Sequence, residues 1–449
     1  MSDDTVAPDD MPGSSPDSTP DSALDAVVEA ATRSDLGMVL LTLGLIYIGA
    51  TLLTFSDGLN SVVGLLRTLT FLGLVYALSA LALNLHWGYT GLFNIGVAGF
   101  MAVGVYTMGI FVRSPDPAFG PPGLGLPLPI GIIAGMAMAS LFGLVAALPA
   151  LRLKADYFAI VTLGISEIIR LTLQSIAFDT ALRETLAVGT GGGRGMGMPD
   201  NPVRALFLVD GQAGTPTPLG EFVFGLLGES GLGIANNILI GWGYIVVLGI
   251  FLVGFYVLLE RLGRSPFGRI LKAIREDELV ADSLGKNVDL IKIKVFMIGC
   301  ALMGLAGILW FGSQGNVSPT PQFEPILTFY IFVAVIVGGS GSNTGSVLGG
   351  IVFAAVLFEG PRRVGAVLRD TIDAPTPPTF ADAVLSFDPT SMLAFATDNI
   401  APLQFVLLGL VLIFIMHRRP QGLLGDRIET AAAIDLSGRA GDHGGERDE

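Results

Sequence analysis

Residues 238–259 read ILIGWGYIVVLGIFLVGFYVLL, a run of 22 residues without a charged side chain. A helix rises about 1.5 Å per residue, so this run is long enough to cross the roughly 30 Å hydrocarbon core of a bilayer. Glu260 and Arg261 follow it directly. The run therefore predicts a membrane-spanning helix, and similar apolar runs recur along the chain.

The composition of the whole chain also indicates a membrane protein. Of its 449 residues, 51% are hydrophobic and only 14% are charged, whereas soluble domains usually devote about a quarter of their residues to charge. Cys300 is the single cysteine, so no internal disulfide can form, and three histidines do not suggest a metal cluster. No Walker-A motif occurs. We expect no cofactor, no metal, no nucleic-acid partner and no ATP site on this chain.

The apolar runs predict an all-α integral membrane fold with about ten transmembrane helices, within a permease domain at 37–425. The predicted spans are about 37–55, 62–85, 91–112, 130–150, 156–178, 238–259, 295–312, 326–339, 346–359 and 400–417. The eighth and ninth spans are short and are separated by a Gly/Ser-rich stretch at 339–345. Such a pair is expected to be broken or re-entrant.

The charged residues outside the spans predict the orientation. Residues 1–36 hold nine acids and one base, Arg33, and are rich in Pro and Ser, which predicts a disordered acidic tail. Residues 426–449 form a polar C-terminal tail. If ten spans alternate with the N-terminus inside, 16 bases lie in internal segments and seven in external ones. Because Lys and Arg favour the cytoplasmic side, we expect a plasma-membrane protein with both termini cytoplasmic. Residues 260–294 would then be a cytoplasmic loop, and 179–237 and 360–399 would be extracellular.

The densest charge lies in that loop, between Arg261 and Lys294. Apolar residues recur near helical spacing from Ile270 to Leu284, with charged residues between them, and Gly285 follows where a helix would stop. This pattern predicts a short amphipathic helix that fits a groove of another protein. It is also compatible with a solvated, positively charged internal loop.

Six motifs of the chain resemble, in the same order, those of one transporter family. Glu278-x-x-Ala281-x-x-x-Gly285 resembles the cytoplasmic "EAA" loop of ABC importer permeases in its branched-chain amino-acid variant. The other matching segments are LNLHWGYTGLFN at 83–94, LRLKADYFAIVTL at 151–163, the Gly-rich 190–199, VGGSGS at 337–342 and RPQGLLG at 419–425. The resemblance, to LivM-type permease subunits, covers roughly 74–425. Val97 departs from it, because His or Gln often occupies that position.

The resemblance implies a function and a set of partners. It implies a permease subunit, not an enzyme, that imports branched-chain or related amino acids. The implied partners are a second homologous permease subunit, two cytoplasmic ABC ATPase subunits and an extracellular substrate-binding protein. The ATPase would dock on the loop at Arg275, Glu278, Ala281, Leu284 and Gly285.

Five polar residues within or beside the spans are candidates for the translocation path. Glu167 and Arg170 are three residues apart, so they share one helix face, and Glu167 lies roughly 16 Å into its span. They form either a mutually neutralising pair or part of the solute route. Asn94, Asn343 and Thr344 adjoin Gly-rich segments that predict broken helices, which transporters often place at the solute route.

Two other functions remain open from the sequence. The same architecture could carry urea or a short amide. An ion-coupled secondary transporter could use Glu167 as a proton or sodium site, but it would not need a docking helix at 278–285. An intramembrane enzyme has the least support, because no Ser/His, paired-Asp or metal constellation occurs within the predicted spans.

Overall fold

The computed structural model describes residues 35–424, apart from 56–57, 118–119, 151–154, 210–214, 229–230, 372–375 and 419–420. Nearly all of the predicted acidic tail and the whole C-terminal tail lie outside the described residues. So do Arg152, Lys154 and the Arg419–Pro420 pair, which belong to two of the six motifs.

Helices make up most of the described chain, as the sequence predicted. They are α1 (Asp35–Thr54), α2 (Leu59–Thr90), α3 (Val97–Val112), α4 (Leu128–Ala150), α5 (Ala155–Gln174), α6 (Ile176–Leu186), α7 (Arg204–Phe207), α8 (Pro218–Leu227), α9 (Asn236–Arg264), α10 (Pro266–Glu276), α11 (Glu278–Ser283), α12 (Val288–Phe311), α13 (Pro325–Gly338), α14 (Asn343–Val352), α15 (Gly360–Thr371), α16 (Phe380–Leu385), α17 (Pro389–Asp398) and α18 (Ile400–Arg418). A π-helical stretch, Phe353–Glu359, joins α14 to α15. Two short strands, β1 (Met196–Gly197) and β2 (Asn316–Val317), pair antiparallel.

Seven helical segments among the described residues are long and apolar enough to cross a membrane. They are Leu36–Thr54, Leu59–Thr90, Leu128–Leu148, Tyr157–Gln174, Asn236–Arg264, Val288–Phe311 and Asn343–Arg369. The predicted third, eighth and tenth spans correspond to shorter apolar helices, at Val97–Val112, Pro325–Gly338 and Gln404–Arg418. The protein is therefore an all-α, multi-pass membrane protein whose bundle contains both full-length and short helices.

The centre of the bundle is formed by α2, α3 and α12. Glycines allow close approach there, because a Cβ atom added to Gly104 of α3 would lie only 2.5 Å from the Cα of Gly304 in α12. Aromatic rings fill the wider spaces. The ring of Tyr76 lies 4.7 Å from that of Trp310 and 4.8 Å from that of Phe353, measured between centroids.

Three helix boundaries correct the sequence prediction. Residues 91–96 are non-helical, so the third span is helical only from Val97. The fifth ends at Gln174, because the Ser175 side chain accepts a hydrogen bond from Phe178 N and begins α6. The predicted single amphipathic helix before Gly285 is two helices. Asp277 separates them, since it is extended (φ −155°) and its carboxylate caps α11.

Candidate functional site

One end of the bundle carries the charged segment 260–294, which includes α10 and α11. We call this end of the bundle the charged end. Helix α10 begins at Ser265, whose hydroxyl accepts from Gly268 N at 3.2 Å, with Pro266 in the first turn. Helix α11 begins at Asp277, whose Oδ1 accepts from Leu279 N at 2.9 Å and from Val280 N at 3.1 Å. These caps define two short surface helices with a fixed bend.

Helix α11 has one apolar face buried and another exposed. Ala281 is buried against Ile274 and Val288. Leu279, Val280 and Leu284 are 79%, 55% and 72% exposed, respectively. Large aliphatic side chains that are exposed together often mark a surface that another molecule covers. Val280 and Leu279 were not among the predicted docking residues, although their apolar character beside charged neighbours could have signalled them.

The predicted docking residues divide into inward and outward groups. Arg275 Nη1 donates to the Gly88 carbonyl at 2.5 Å, so its head group contacts α2. Glu278 pairs with Lys292 Nζ at 2.5 Å, and the Lys292 side chain is almost buried. Gly285 adopts a left-handed conformation (φ +75°) just after α11, where the sequence predicted a helix end. Together these contacts fix α11 to the bundle.

The predicted path residues Asn343 and Thr344 also lie at the charged end. Asn343 Nδ2 donates to the Tyr89 hydroxyl at 2.9 Å and to Glu260 Oε2 at 3.0 Å, and the Thr344 hydroxyl bonds that of Tyr256 at 2.9 Å. A cavity of about 390 Å³ lies beside them. Its lining includes Tyr89, Glu260, Lys272, Arg275, Asn343 and Thr344.

The predicted path residue Asn94 is fully buried in the non-helical segment between α2 and α3. Its Nδ2 donates to His86 Nδ1 at 3.1 Å, and its Oδ1 accepts from Gly96 N at 2.8 Å. Thr162 of α5 accepts from Ile95 N at 3.0 Å. Backbone inside a bilayer must find such partners within the protein. These contacts stabilise the broken helix, and they involve other residues than those around Asn343.

Glu167 and Arg170 do bind each other, as their spacing predicted. Arg170 Nε donates to Glu167 Oε2 at 2.9 Å. Arg170 Nη1 also donates to Gln174 Oε1 at 3.3 Å and to the Thr320 hydroxyl at 2.5 Å. Thr320 belongs to the loop before α13 and Gln174 ends α5, so Arg170 lies close to the end of α5 that is opposite the charged end. The pair is separate from Asn94 and from Asn343.

The described site contains polar helix ends and an exposed apolar helix face. Within the described ranges, no cluster of three or more His, Cys, Asp or Glu side chains could hold a metal ion. The architecture is a multi-pass bundle with internal broken helices and a capped helix pair at one end. It defines the class of all-α, multi-pass membrane proteins with interrupted helices.

Comparison with known proteins identifies the family. A family model described as "Branched-chain amino acid transport system / permease component" matches residues 65–360. The chain belongs to this family of branched-chain amino acid transport permeases. The LivM permease of Escherichia coli is 31% identical over 357 residues, which cover 79% of this chain and 68% of that protein.

Two further relatives lie at greater distance or cover less of the chain. A probable LivM permease of Methanocaldococcus jannaschii is 27% identical over 386 residues, covering 80% of this chain and 92% of that protein. The LivH permease of Escherichia coli is 34% identical over 88 residues, covering 20% and 28%. No solved structure matches this chain significantly.

Proposed function

We propose that this chain is a transmembrane subunit of an ABC importer that carries branched-chain or related amino acids across the plasma membrane. It would work with a second homologous permease, two ATPase subunits at the charged end, and an extracellular binding protein that delivers the solute. The proposal draws its solute from the names of the LivM relatives. Its ATPase docking site rests on the structure of α11.

The exposed face of α11 is the observation that carries the proposal. Leu279, Val280 and Leu284 are exposed on a helix whose opposite side is fixed to the bundle through Ala281 and Glu278. A short helix of this kind fits a groove on another protein, with its apolar side chains as anchors. A secondary transporter driven by an ion gradient has no need of such a surface, so this observation favours the ATPase-driven function.

The docking face can be tested with a matched pair of variants. Leu279→Asp places a charge on the exposed apolar face, and Asp282→Asn changes an exposed polar residue of the same helix. We expect Leu279→Asp to abolish co-purification of the ATPase subunits and uptake of radiolabelled leucine. Asp282→Asn should retain both. If the Leu279→Asp protein keeps its ATPase subunits and full uptake, α11 is not the docking site.

The solute is tested separately from docking. Proteoliposomes that contain the whole complex and its binding protein should take up leucine, isoleucine or valine when ATP is supplied on the side of α11. Uptake of urea or a short amide in place of these amino acids would support the alternative solute. Uptake without ATP but with a proton or sodium gradient would instead indicate a secondary transporter.

The proposed orientation is tested by chemical labelling. The native Cys300 is buried, so a new surface cysteine gives the main signal. In intact cells, Arg194→Cys should react with a membrane-impermeant maleimide. Lys286→Cys should react only after the membrane is opened. The reverse pattern would show that the charged end faces outward and would remove the proposed ATPase position.

A further inference from the structure

The head group of Arg275 contacts the end of a central helix. Gly88, whose carbonyl accepts from Arg275 Nη1, lies in the last turn of α2. The last four carbonyls of a helix have no donor within it and carry partial negative charge, so a guanidinium there acts both as donor and as countercharge. Gly91 ends α2 in a left-handed conformation, and a Cβ added to it would lie 3.5 Å from Arg275 Cγ.

The same guanidinium borders the loop between α13 and α14, residues 339–342. A Cβ added to Gly341 would lie 2.9 Å from Arg275 Nη1, and Gly341 has a φ of +90° that only glycine adopts readily. A Cβ added to Gly88 would lie 2.6 Å from Gly341 N. Helix α10, the end of α2 and this loop therefore meet closely at the Arg275 side chain.

The 339–342 loop is bound in turn to the other helices of the charged end. Gly341 N donates to Asn84 Oδ1 of α2 at 2.8 Å. Asn343, directly after the loop, donates to Glu260 of α9. The two helices that leave the loop touch, because a Cβ added to Gly338 would lie 1.9 Å from the carbonyl oxygen of Gly345. A displacement of this loop must therefore move α13, α14 and the ends of α2 and α9.

We propose that Arg275 is a positioning residue that couples the docking helices to the 339–342 loop, and that this loop opens and closes the charged end. When a bound ATPase moves α10, Arg275 shifts relative to Gly88 and Gly341. The loop then moves with it, and the hydrogen bonds of Asn343 and Asn84 change partners. Arg275 is an exposed residue of α10, but its guanidinium donates inward to the Gly88 carbonyl, and the mechanism uses this inward contact and none to the ATPase. The inference rests on the proposed function, because it requires an ATPase on α11.

The geometry also predicts which replacement is closest to the native side chain. A guanidinium is a planar fork whose donors can serve one carbonyl while its edge packs against a neighbouring backbone. A lysine ammonium can still donate to the Gly88 carbonyl but does not fill the space beside Gly341. Arg275→Lys should therefore preserve coupling in part, and Arg275→Gln should lose more of it.

The experiment measures coupling separately from docking. The full complex, with its ATPase subunits and binding protein, is reconstituted in proteoliposomes, and leucine uptake is divided by ATP hydrolysed. For Arg275→Gln we expect this ratio to fall by roughly tenfold, the effect of losing one charge-assisted hydrogen bond. The amount of ATPase that co-purifies should not change. Arg269→Gln, on an exposed position of the same helix, is the matched control and should leave the ratio unchanged.

A second variant reaches the same contact from the other side. Gly341→Ala adds a methyl group next to Arg275 Nη1 and strains a left-handed backbone, so it should lower the ratio as well. If Arg275→Gln retains the unchanged protein's ratio, the coupling role is wrong. If Arg275→Gln loses its ATPase subunits, Arg275 is a docking contact and the inference is also wrong. Absence of any ATPase on the unchanged chain would instead overturn the proposed function, and this inference with it.

Discussion

Helices α1 and α12 are both strongly apolar, yet α1 lies at the periphery of the bundle and α12 lies inside it. In the most apolar window of each, 72% of the residues of α12 are buried but only 6% of those of α1. The difference follows their glycines. Gly304 and Gly307 of α12 pack against neighbouring helices, whereas Cβ atoms added to Gly44 and Gly49 of α1 would meet no atom within 4 Å.

Apolar composition alone therefore does not distinguish entry of a helix into the bilayer from burial of that helix inside the bundle. Lipid tails are as apolar as leucine, so hydropathy decides that a helix enters the bilayer but not how deep it lies in the bundle. Close approach through small residues decides how deep it lies.

The largest effect is expected where α3 crosses α12. Gly104→Leu must push apart two backbones, because even a Cβ would lie 2.5 Å from the Cα and the carbonyl oxygen of Gly304. Overpacking of this kind costs about 3 kcal/mol or more where backbone cannot shift. We expect most of the Gly104→Leu protein to aggregate after detergent extraction, as measured by size-exclusion chromatography.

The matched control for that variant is Gly44→Leu in α1. It adds the same side chain to an apolar helix where a Cβ would meet no atom within 4 Å. The yield and the unfolding temperature of this variant should equal those of the unchanged protein. If Gly44→Leu lowers the yield as much as Gly104→Leu does, the glycines of α1 also lie in a close contact between helices.

An intermediate effect is expected for the ion pair of α5, a helix with a smaller buried share than α12. Glu167→Gln or Arg170→Met leaves the other charge without its main partner, which costs about 3–5 kcal/mol for a buried pair and less for this partly exposed one. Each single change should therefore lower the folded yield. The measurement is thermal unfolding of the purified chain, followed by leucine uptake by the complex.

The double variant Glu167→Gln/Arg170→Met tells the two possible roles of the pair apart. Arg170 is also bound by Gln174 and Thr320, a set of partners that favours a structural role near the end of the span. We therefore expect the double variant to regain stability and to transport. A double variant that folds normally and transports nothing would place the pair in the solute route.

The sequence predicted the class of fold and most helices, because long apolar runs and capping residues are local signals. Its Gly-rich stretch around Asn94 predicted a broken helix, but the third span was predicted from 91, so the extent of the non-helical segment, residues 91–96, was not predicted. Their backbone is satisfied by side chains such as Thr162, far along the chain, and no local pattern reports that partner. The break at Asp277 was readable in principle, since Asp is a preferred N-cap, but the surrounding helical spacing continued across it.

The candidate site was predictable in position but not in orientation. The motif from Glu278 to Gly285 covers the short helix α11 and the glycine that follows it. It could not tell that Ala281 and Arg275 contact the bundle while Leu279 and Leu284 are exposed. Both groups follow a helical period, and only the packing of α11 against α12 decides which side is covered.

The smallest effect compares one substitution in the two helices. Leu305→Ala removes a buried side chain from α12, and Leu45→Ala removes an exposed one from α1. In a soluble protein the buried change costs about 2–5 kcal/mol, part of it for transfer out of water. In a bilayer that transfer term disappears because the surrounding medium is itself apolar, so only lost packing remains, about 1–2 kcal/mol. For Leu45→Ala we expect a change within about 0.5 kcal/mol.

Reversible denaturation of the chain purified alone, in mixed micelles, measures both changes in the free energy of unfolding. A cost for Leu45→Ala that matches that of Leu305→Ala would mean that α1 packs against protein as closely as α12 does.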